Sequence, residues 1–331
     1  MLPPNTDGAS EITINRILAA RERITPYLSA SPTRNYPLLD ELVGYGIRVL
    51  VKHENHLPVN SFKVRNGLSA VTALALDVAA RGVIAASTGN HGQGVAYAGR
   101  QLGIPVVIFV PANNNPEKNA LIRALGAELV EVGASYDECI SHCKTRAEQD
   151  GLTLIHSTNN ADVIAGAGTL TLELVEQHPE VSAMVVAVGG GSQAVGAITV
   201  AAAHKPSMRV FGVQSAEAPG QFELWRTGEF STAIPSKTFA EGIATARGYE
   251  MTYGLLRRGL EDFVLVSDKS IAQAVRDLWR VTHNLAEGAG AAGFAGLREL
   301  APRLEGQTVA VIMSGSNLDT QRAIRVLSGA L

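Results

Sequence analysis

A lysine in this sequence stands where its amine could take part in covalent chemistry. Lys63 follows a polar stretch at 55–61 and precedes an apolar, helix-like run at 67–80, which predicts a position where a loop meets a helix. An ordinary lysine amine has a pKa of about 10.4, so only about one in a thousand is a nucleophile at neutral pH. A Schiff base removes that limitation if other residues hold an aldehyde-bearing cofactor. Taken alone, Lys63 would be interpreted as a solvated surface residue.

A run of glycines could hold the phosphate of such a cofactor. Gly189, Gly190 and Gly191, followed by Ser192, lie between a predicted strand at 184–188 and a predicted helix. Consecutive glycines let several backbone N–H groups point at one ligand, and a helix N-terminus adds partial positive charge. The run therefore predicts a phosphate site, although a merely tight turn is the alternative.

Two further turns have the composition of binding loops. The sequence STGNHG at 87–92 follows a predicted strand and opens a helix, where backbone N–H groups favour an anion such as a carboxylate. Within it, Asn90 adds an amide that could bond a ring oxygen. The sequence SGSN at 314–317 follows the last predicted strand and presents a hydroxyl that could meet a heterocyclic nitrogen. Each turn taken alone also fits an ordinary helix cap.

The elements that must position these residues alternate along the chain from about residue 48. The predicted strands are 48–52, 83–86, 106–110, 128–132, 152–156, 184–188, 209–214, 263–266 and 308–313. The predicted helices include 91–102, 117–125, 136–149, 271–285 and 290–304, with left-handed caps at Gly103 and Gly126. Apolar strands separated by helices indicate parallel sheets buried on both faces. The predicted class is therefore α/β, with functional loops at the carboxyl ends of strands.

Composition narrows the class of protein. The 331 residues are 46% hydrophobic and 18% charged, which suits one large or two interlocked domains. A formal charge of -3 without basic clusters argues against a nucleic acid or an anionic membrane as partner. The uncharged stretch 183–203 is cut by glycines, so no membrane span is predicted. Residues 1–10 lack a secretory signal pattern, and Cys139 and Cys143 are interpreted as buried free thiols, so the predicted location is the cytoplasm.

Several well-known motifs fit less well. Gly189, Gly191 and Ala194 match the dinucleotide fingerprint G-x-G-x-x-A, but no acidic residue stands about 20 positions on to hold a ribose. The histidines of the sequence HENH at 53–56 are three apart, not four as in the H-E-x-x-H zinc motif. Neither a G-x-S-x-G elbow nor a G-x-x-x-x-G-K-S/T phosphate loop is present.

The four motifs together resemble those of a known family. A lysine in SFKVR at 61–65, the loop STGNHG, the glycine run and a final SGSN occur in the order typical of fold-type II pyridoxal-phosphate enzymes. Within them the chain most resembles the threonine/serine dehydratase and serine racemase group, from about residue 24 to 327. The resemblance implies a two-domain fold like that of the tryptophan synthase β subunit, with a mostly parallel sheet flanked by helices in each domain. It assigns residues 1–69 and 157–331 to a large cofactor-binding domain and 70–156 to a small mobile domain, and it implies a homodimer.

The resemblance also implies a role for each motif residue. Lys63 would carry the pyridoxal 5'-phosphate and act as catalytic base, with Phe62 against the ring. Asn90 would bond the ring hydroxyl and Ser314 would face the pyridine nitrogen. The phosphate would lie on Gly189, Gly190, Gly191 and Ser192, and Gly242 and Glu287 would face the ring. The substrate carboxylate would be bound by Ser87, Thr88, Gly89, Asn90 and His91. The chain departs from the family at Asn60 and Asn66, where glycine is usual, and at Gln193, which puts the substrate in doubt more than the cofactor.

The expected reaction is elimination of water from a β-hydroxy L-amino acid, giving a 2-oxo acid and ammonia. Ser314 favours a neutral pyridine nitrogen, and therefore prompt loss of the β-hydroxyl over reprotonation. One alternative is a serine- or aspartate-type racemase in which Thr88 and Lys63 work on opposite faces, with Ser87 nearby as a catalytic hydroxyl. A dehydratase for a 3-hydroxyaspartate or bulkier substrate, a β-replacement enzyme, and a binding protein without catalysis also remain open.

Two further expectations concern regulation. Racemase-like members place a cation on an acid, a carbonyl and an acid at i, i+4 and i+6, a spacing that Glu217, Gln221 and Glu223 reproduce. Their oxygen atoms suit Mg²⁺ or a similar cation, while exposed carboxylates on a surface helix are the alternative. The chain ends at Leu331, so an appended regulatory domain is not expected.

Overall fold

The structure is a computed structural model that describes residues 12–230 and 234–331. The prediction about a secretory signal concerns residues 1–10, which lie outside the described residues. The strands are β1 (Thr33–Asn35), β2 (Arg48–His53), β3 (Val83–Ala86), β4 (Val106–Val110), β5 (Glu128–Glu131), β6 (Thr153–Leu154), β7 (Ala183–Ala187), β8 (Arg209–Ser215), β9 (Asp262–Val266) and β10 (Thr308–Met313).

The strands form two sheets. The larger has the order β1-β2-β10-β7-β8-β9, and the smaller has the order β5-β4-β3-β6. All neighbouring strands are parallel except β1, which runs antiparallel to β2 at the edge. The smaller sheet lies wholly within the predicted small domain at 70–156. The fold is therefore mixed α/β with two mostly parallel sheets, while the mobility of the smaller unit stays a prediction.

Helices cover both faces of the two sheets. They are α1 (Ile14–Ile24), α2 (Pro37–Val43), α3 (Lys63–Thr72), α4 (Leu76–Arg81), α5 (Asn90–Leu102), α6 (Pro116–Ala124), α7 (Tyr136–Asp150), α8 (Ala161–Gln177), α9 (Ser192–His204), α10 (Gly220–Thr227), α11 (Glu250–Gly259), α12 (Asp268–Thr282), α13 (Gly288–Leu300) and α14 (Thr320–Leu327). The side chains of Thr13, Asn115, Ser135 and Asn160 accept hydrogen bonds from first-turn N–H groups of α1, α6, α7 and α8. Such caps fix where each helix begins.

The predicted elements agree with the structure in kind and differ at their ends. All nine predicted strands are present, whereas β1 and the helices α1, α2, α8 and α11 are among the elements that the sequence did not predict. The helix predicted at 271–285 ends at Thr282 because His283 adopts a left-handed conformation with φ 55°. The helix predicted at 290–304 ends at Leu300, since Pro302 cannot donate a helical hydrogen bond. Each helix within residues 12–230 and 234–331 is too short or too polar to span a bilayer.

Helix α3, which begins at Lys63, is held by close backbone contacts with two other helices. A Cβ placed on Gly67 would lie 2.2 Å from the carbonyl oxygen of Gly94 in α5. On the other side, a Cβ on Gly166 in α8 would lie 2.4 Å from the carbonyl oxygen of Arg65. Only glycine permits approaches this close. The position of α3 is therefore fixed by backbone packing on both sides.

A cluster of buried charges lies behind α3. Arg65 donates through two nitrogen atoms to Glu54, at 2.7 and 3.0 Å, and through two to Glu173, at 2.6 and 2.8 Å. Lys52 also donates to Glu173, at 2.7 Å. Burial alone would lower the pKa of Arg65, but the two carboxylates raise it above its ordinary value. Two cations therefore face two anions, and the formal charges of the cluster cancel.

We predict that Arg65→Met lowers the free energy of unfolding by about 3–5 kcal/mol, because Glu54 and Glu173 would remain buried without their main partner. Arg65 is 1% exposed and Glu54 is 0% exposed, so water cannot replace the guanidinium without rearrangement. Urea titration followed by circular dichroism measures the change. The exposed Arg258→Met is the matched control and should change stability by less than about 0.5 kcal/mol. A similar loss in both variants would contradict a special role for the cluster.

Candidate active site

The loops that follow β2, β10 and β7 meet at the edge of the larger sheet that is formed by the carboxyl ends of these strands. β10 lies between β2 and β7 and is parallel to both, so their carboxyl ends point the same way. An isolated bridge joins Ser61 to Gly315, and the N–H of Phe62 donates to the carbonyl oxygen of Ser314 at 3.0 Å. The structure therefore brings the segment before Lys63 directly against the last turn.

Lys63 is the first residue of α3, as predicted for the junction of a loop and a helix. Its Nζ lies 4.9 Å from the centroid of the Phe62 ring. Loss of solvent around the amine lowers the pKa of Lys63 to about 8, although the carboxyl group of Glu287 acts in the opposite direction. A larger fraction of this amine is therefore uncharged at neutral pH than of an ordinary lysine.

The glycine run forms the turn between β7 and α9, and its neighbours leave no room for side chains. A Cβ on Gly190 would lie 2.0 Å from Oγ1 of Thr158, and one on Gly189 would lie 2.5 Å from the carbonyl oxygen of Gly242. Gly191 has a φ of 96°, in the left-handed region that favours glycine. A ligand in this turn would meet backbone rather than side chains.

Helix α9 gives this turn the character of an anion site. Ser192 is its first residue, so the first-turn N–H groups have no intrahelical carbonyl partners. The hydroxyl of Thr252 donates to the carbonyl oxygen of Gly190 at 2.8 Å, which satisfies that oxygen within the protein. The turn therefore fits a phosphate group at the predicted position.

The predicted carboxylate loop follows β3 in the smaller sheet. Oγ of Ser87 accepts a hydrogen bond from the N–H of Gly89 at 3.2 Å, which closes the turn. Nε2 of His91 lies 2.9 Å from the carbonyl oxygen of Ile155. Burial lowers the pKa of His91 to about 3, so its imidazole is neutral at ordinary pH. His91 therefore adds no positive charge for a carboxylate.

Asn90 connects this loop to the larger sheet. Its Nδ2 donates to Oε1 of Glu287 at 2.6 Å, and its Oδ1 accepts from Nδ2 of Asn317 at 2.7 Å. Burial raises the pKa of the Glu287 carboxyl group, an effect that Lys118 and the Asn90 amide only partly offset. Thr88, two residues before Asn90, is half-buried in the same loop. The carboxylate loop, Glu287 and Asn317 are thus joined in one hydrogen-bonded network through Asn90.

A second acidic residue lies across from the carboxylate loop. Glu241 opens a short 3-10 turn, Glu241–Ile243, and its carboxylate pairs with Lys118 of α6 and with Arg322 of α14. Burial would raise the pKa of Glu241, but the two cations hold it below its ordinary value. Nζ of Lys118 is 3.8 Å from the position that a Cβ on Gly89 would take. Lys118 therefore supplies, beside the carboxylate loop, the positive charge that His91 does not.

The residues predicted for a cation are each held by a protein partner. Glu217, Gln221 and Glu223 contact, in that order, the backbone N–H of Asp268, the backbone N–H of Tyr249 and the guanidinium of Arg226. No group of three or more His, Cys, Asp or Glu side chains in residues 12–230 and 234–331 is arranged to hold a metal ion. The cation site stays a prediction, and these contacts do not favour it.

Four side chains at the site are absent from the predicted set: Lys118, Thr158, Thr252 and Asn317. Asn317 belongs to the SGSN turn, whose composition marks it as a binding loop. The other three stand in ordinary helical or loop sequence with no recognisable motif. Only the packing of the smaller sheet and α11 against the larger sheet brings them to the site.

Comparison with known proteins identifies relatives of this architecture. A family model described as pyridoxal-phosphate dependent enzyme matches residues 24–315. The chain is 33% identical over 308 residues to the biosynthetic L-threonine dehydratase of Haemophilus influenzae, covering 92% of this chain but 60% of that protein. It is thus similar to part of a longer enzyme.

Solved structures show the same fold over nearly the whole chain. The T.th. threonine deaminase has a TM-score of 0.86 and 35% identity, covering 93% of this chain and 99% of that one. Maize serine racemase has a TM-score of 0.90 and 28% identity, covering 97% of this chain and 98% of that one.

We predict that the Lys63 amine of the cofactor-free protein titrates near pH 8, below the ordinary value of 10.5, because it is shielded from solvent. The rate of acetylation at Lys63, followed by mass spectrometry across pH, measures this midpoint. Glu287→Gln should shift the midpoint lower still, since the carboxylate stabilises the ammonium form. The exposed Lys144, acetylated in the same samples, is the internal control. A Lys63 midpoint equal to that of Lys144 would contradict the prediction.

Proposed function

The chain belongs to the family of pyridoxal-phosphate-dependent enzymes, and we propose that it is an ammonia-lyase acting on a β-hydroxy L-amino acid such as threonine or serine. The products are a 2-oxo acid and ammonia. Its similarity to a threonine dehydratase and to a threonine deaminase supports this substrate class. A 3-hydroxyaspartate or a bulkier β-hydroxy amino acid is the alternative substrate of the same site.

The observation that carries the proposal is the setting of Lys63. Its amine has a pKa of about 8, and it begins a helix at the sheet edge where the glycine run and Ser314 also lie. A structural lysine would be solvated or paired with a carboxylate, whereas this amine lies against the Phe62 ring. That environment favours a neutral, nucleophilic amine.

The residues present fit pyridoxal 5'-phosphate. The turn from Gly189 to Ser192 would hold its phosphate, Phe62 would contact its ring, and Asn90, Gly242, Glu287 and Ser314 would surround the ring. When bound, the cofactor supplies an aldehyde for an amine and an electron-withdrawing ring that stabilises negative charge at the substrate α-carbon.

Lys63 is the proposed base. An amine with a pKa of about 8 is partly uncharged near neutral pH, so it can take the α-proton of the substrate and pass it to the departing β-hydroxyl, which leaves as water. Glu287, whose carboxyl pKa is raised by burial, keeps the hydrogen-bonded Asn90 in place. The N-terminus of α5 at the carboxylate loop orients the substrate carboxylate.

Ser314 biases the outcome toward elimination. A hydroxyl group cannot carry negative charge at neutral pH, so it does not stabilise a protonated pyridine nitrogen as a carboxylate would. Negative charge at the substrate α-carbon is then less stabilised, and loss of the β-hydroxyl competes well against reprotonation. The serine therefore favours a lyase over a racemase.

Racemisation is the second candidate function, and Thr88 is the observation that favours it. Its hydroxyl belongs to the loop that would bind the substrate carboxylate, and a racemase needs a proton donor opposite Lys63. The β-branched side chain restricts the rotamers through which that hydroxyl can reach the substrate. Similarity to maize serine racemase supports retaining this candidate.

Location, assembly and ion binding complete the proposal. Cys139 and Cys143 are free and buried, and burial raises the thiol pKa values to about 11 and about 12. Both thiols are thus suited to a reducing compartment, which supports a cytoplasmic location. A homodimer and a Mg²⁺-like cation are further proposals that rest on the family resemblance alone.

We predict that the enzyme releases a 2-oxo acid from L-threonine or L-serine and that Lys63→Ala lowers kcat by at least about 10³-fold, as loss of a nucleophile and base does. A panel of β-hydroxy amino acids in all configurations, including 3-hydroxyaspartate, is assayed for 2-oxo acid release. Lys144→Met, on the exposed face of α7, is the control and should retain wild-type activity.

A readout independent of turnover accompanies the assay. Borohydride treatment should leave the cofactor attached to the peptide that contains Lys63, as seen by mass spectrometry. Attachment at another lysine, or inversion of configuration with no 2-oxo acid, would contradict the proposed lyase.

For the racemase activity, we predict that Thr88→Ala abolishes any inversion of serine while it lowers elimination by less than about 10-fold, because only inversion needs a donor on that face. Thr88→Ser should raise the ratio of inversion to elimination, since the smaller side chain has more rotamers. Chiral chromatography and 2-oxo acid assays on the same samples give both rates. Equal losses of the two activities in Thr88→Ala would show that Thr88 only shapes the loop.

A further inference from the structure

The contacts of Lys118 point to a role beyond its ion pair with Glu241. We propose that Lys118 is a specificity-determining residue that binds the α-carboxylate of the substrate, taking that carboxylate in exchange for Glu241. The proposed function is a premise of this role, since the substrate is the amino acid on which that function acts.

Lys118 lies directly over the predicted carboxylate loop. It is the third residue of α6, and its Cδ and Nζ are 3.6 and 3.8 Å from the position of a Cβ on Gly89. Gly89 is the N-cap of α5, where the partial positive charge of the helix is concentrated. The ammonium group and the helix N-terminus thus approach the same small volume from two directions.

The two members of the ion pair differ in how easily each can lose the other. The Lys118 side chain is 11% exposed, so its ammonium group needs an anion within the protein. The Glu241 side chain is 37% exposed and has Arg322 as a second cationic partner. Glu241 can therefore lose Lys118 and keep Arg322 and water as partners, whereas the ammonium group of Lys118 would lose its ion-pair partner.

A substrate carboxylate at the loop is the natural replacement for Glu241. It would bring to Lys118 the negative charge that the ammonium group requires, with the N–H groups of α5 as further partners. An amine without a carboxylate brings no such charge, and Lys118 would stay with Glu241. Through this exchange, Lys118 makes the site bind amino acids more tightly than amines that lack a carboxylate.

The test compares two ligands that differ only in the carboxylate. Dissociation constants of L-alanine and ethylamine are measured by calorimetry on the cofactor-loaded enzyme. Lys118→Met should raise the dissociation constant of L-alanine by about 10- to 100-fold, the range for a hydrogen bond to a charged group. The dissociation constant of ethylamine should change by less than about twofold. Lys118→Arg should retain most of the affinity for L-alanine. The KM for the β-hydroxy substrate should rise far more than kcat falls.

Glu241→Gln separates this role from a purely structural one. If Lys118 exchanges partners, removal of the competing carboxylate leaves L-alanine binding unchanged or tighter. If the ion pair only holds α6 in place, Glu241→Gln lowers the affinity for both ligands as much as Lys118→Met does. That result would overturn the proposal. Glu241 is partly exposed, so this variant reports even if Lys118→Met fails to fold. Lys144→Met is the matched lysine control and should leave the affinity for both ligands unchanged.

The result is distinguishable from failure of the proposed function. L-alanine has no β-hydroxyl group, so its binding can be measured whether or not the enzyme eliminates water. Absence of 2-oxo acid from every substrate, together with the expected loss of L-alanine affinity in Lys118→Met, would reject the lyase activity and support the role of Lys118 in binding the carboxylate. Normal lyase activity with equal effects on L-alanine and ethylamine would do the reverse.

Discussion

The parallel alignment of β2, β10 and β7 is the constraint on which the site depends. With β10 paired in parallel to both neighbours, the segment before Lys63, the turn at Ser314 and the glycine run leave the sheet at the same edge. Each loop has its own local chemistry, but none could act alone. The parallel register converts three distant sequence motifs into one site, as carboxyl ends do in α/β proteins generally.

Polar contacts then connect this edge to the smaller sheet. Asn90 bonds both Glu287 and Asn317, and Lys118 bonds Glu241, so residues of the smaller unit face acids of the larger one. Behind the site, the cluster of Arg65, Glu54, Glu173 and Lys52 buries charge at a cost that only full pairing offsets. The helix that begins at Lys63 thus lies between a cluster whose formal charges cancel and the polar contacts that join the two sheets.

Much of this arrangement is readable in the sequence because it depends on local rules. Glycines at Gly189, Gly190 and Gly191 are required where neighbouring atoms occupy the Cβ positions, and Asn90 opens its helix as the motif predicts. Lys118 and Thr158 follow no such rule. They reach the site only through the packing of the two sheets, which a single sequence does not encode as a pattern. The end of α12 at His283 is a similar case, since a left-handed non-glycine residue carries no clear signal.

The crossing of α3 and α5 fixes the position of Lys63 relative to the smaller unit. Gly67 and Gly94 bring the two backbones so close that a side chain at either position would overlap the other helix. A Cβ on Gly94 would lie 2.2 Å from the carbonyl oxygen of Lys63, so the start of α3 lies directly against α5. Elsewhere between the two units, Glu117 of α6 bonds Thr320 of α14 through exposed hydrogen bonds of 3.2–3.4 Å. A movement of the smaller unit that breaks these exposed bonds but keeps the helix crossing would leave the surroundings of Lys63 unchanged.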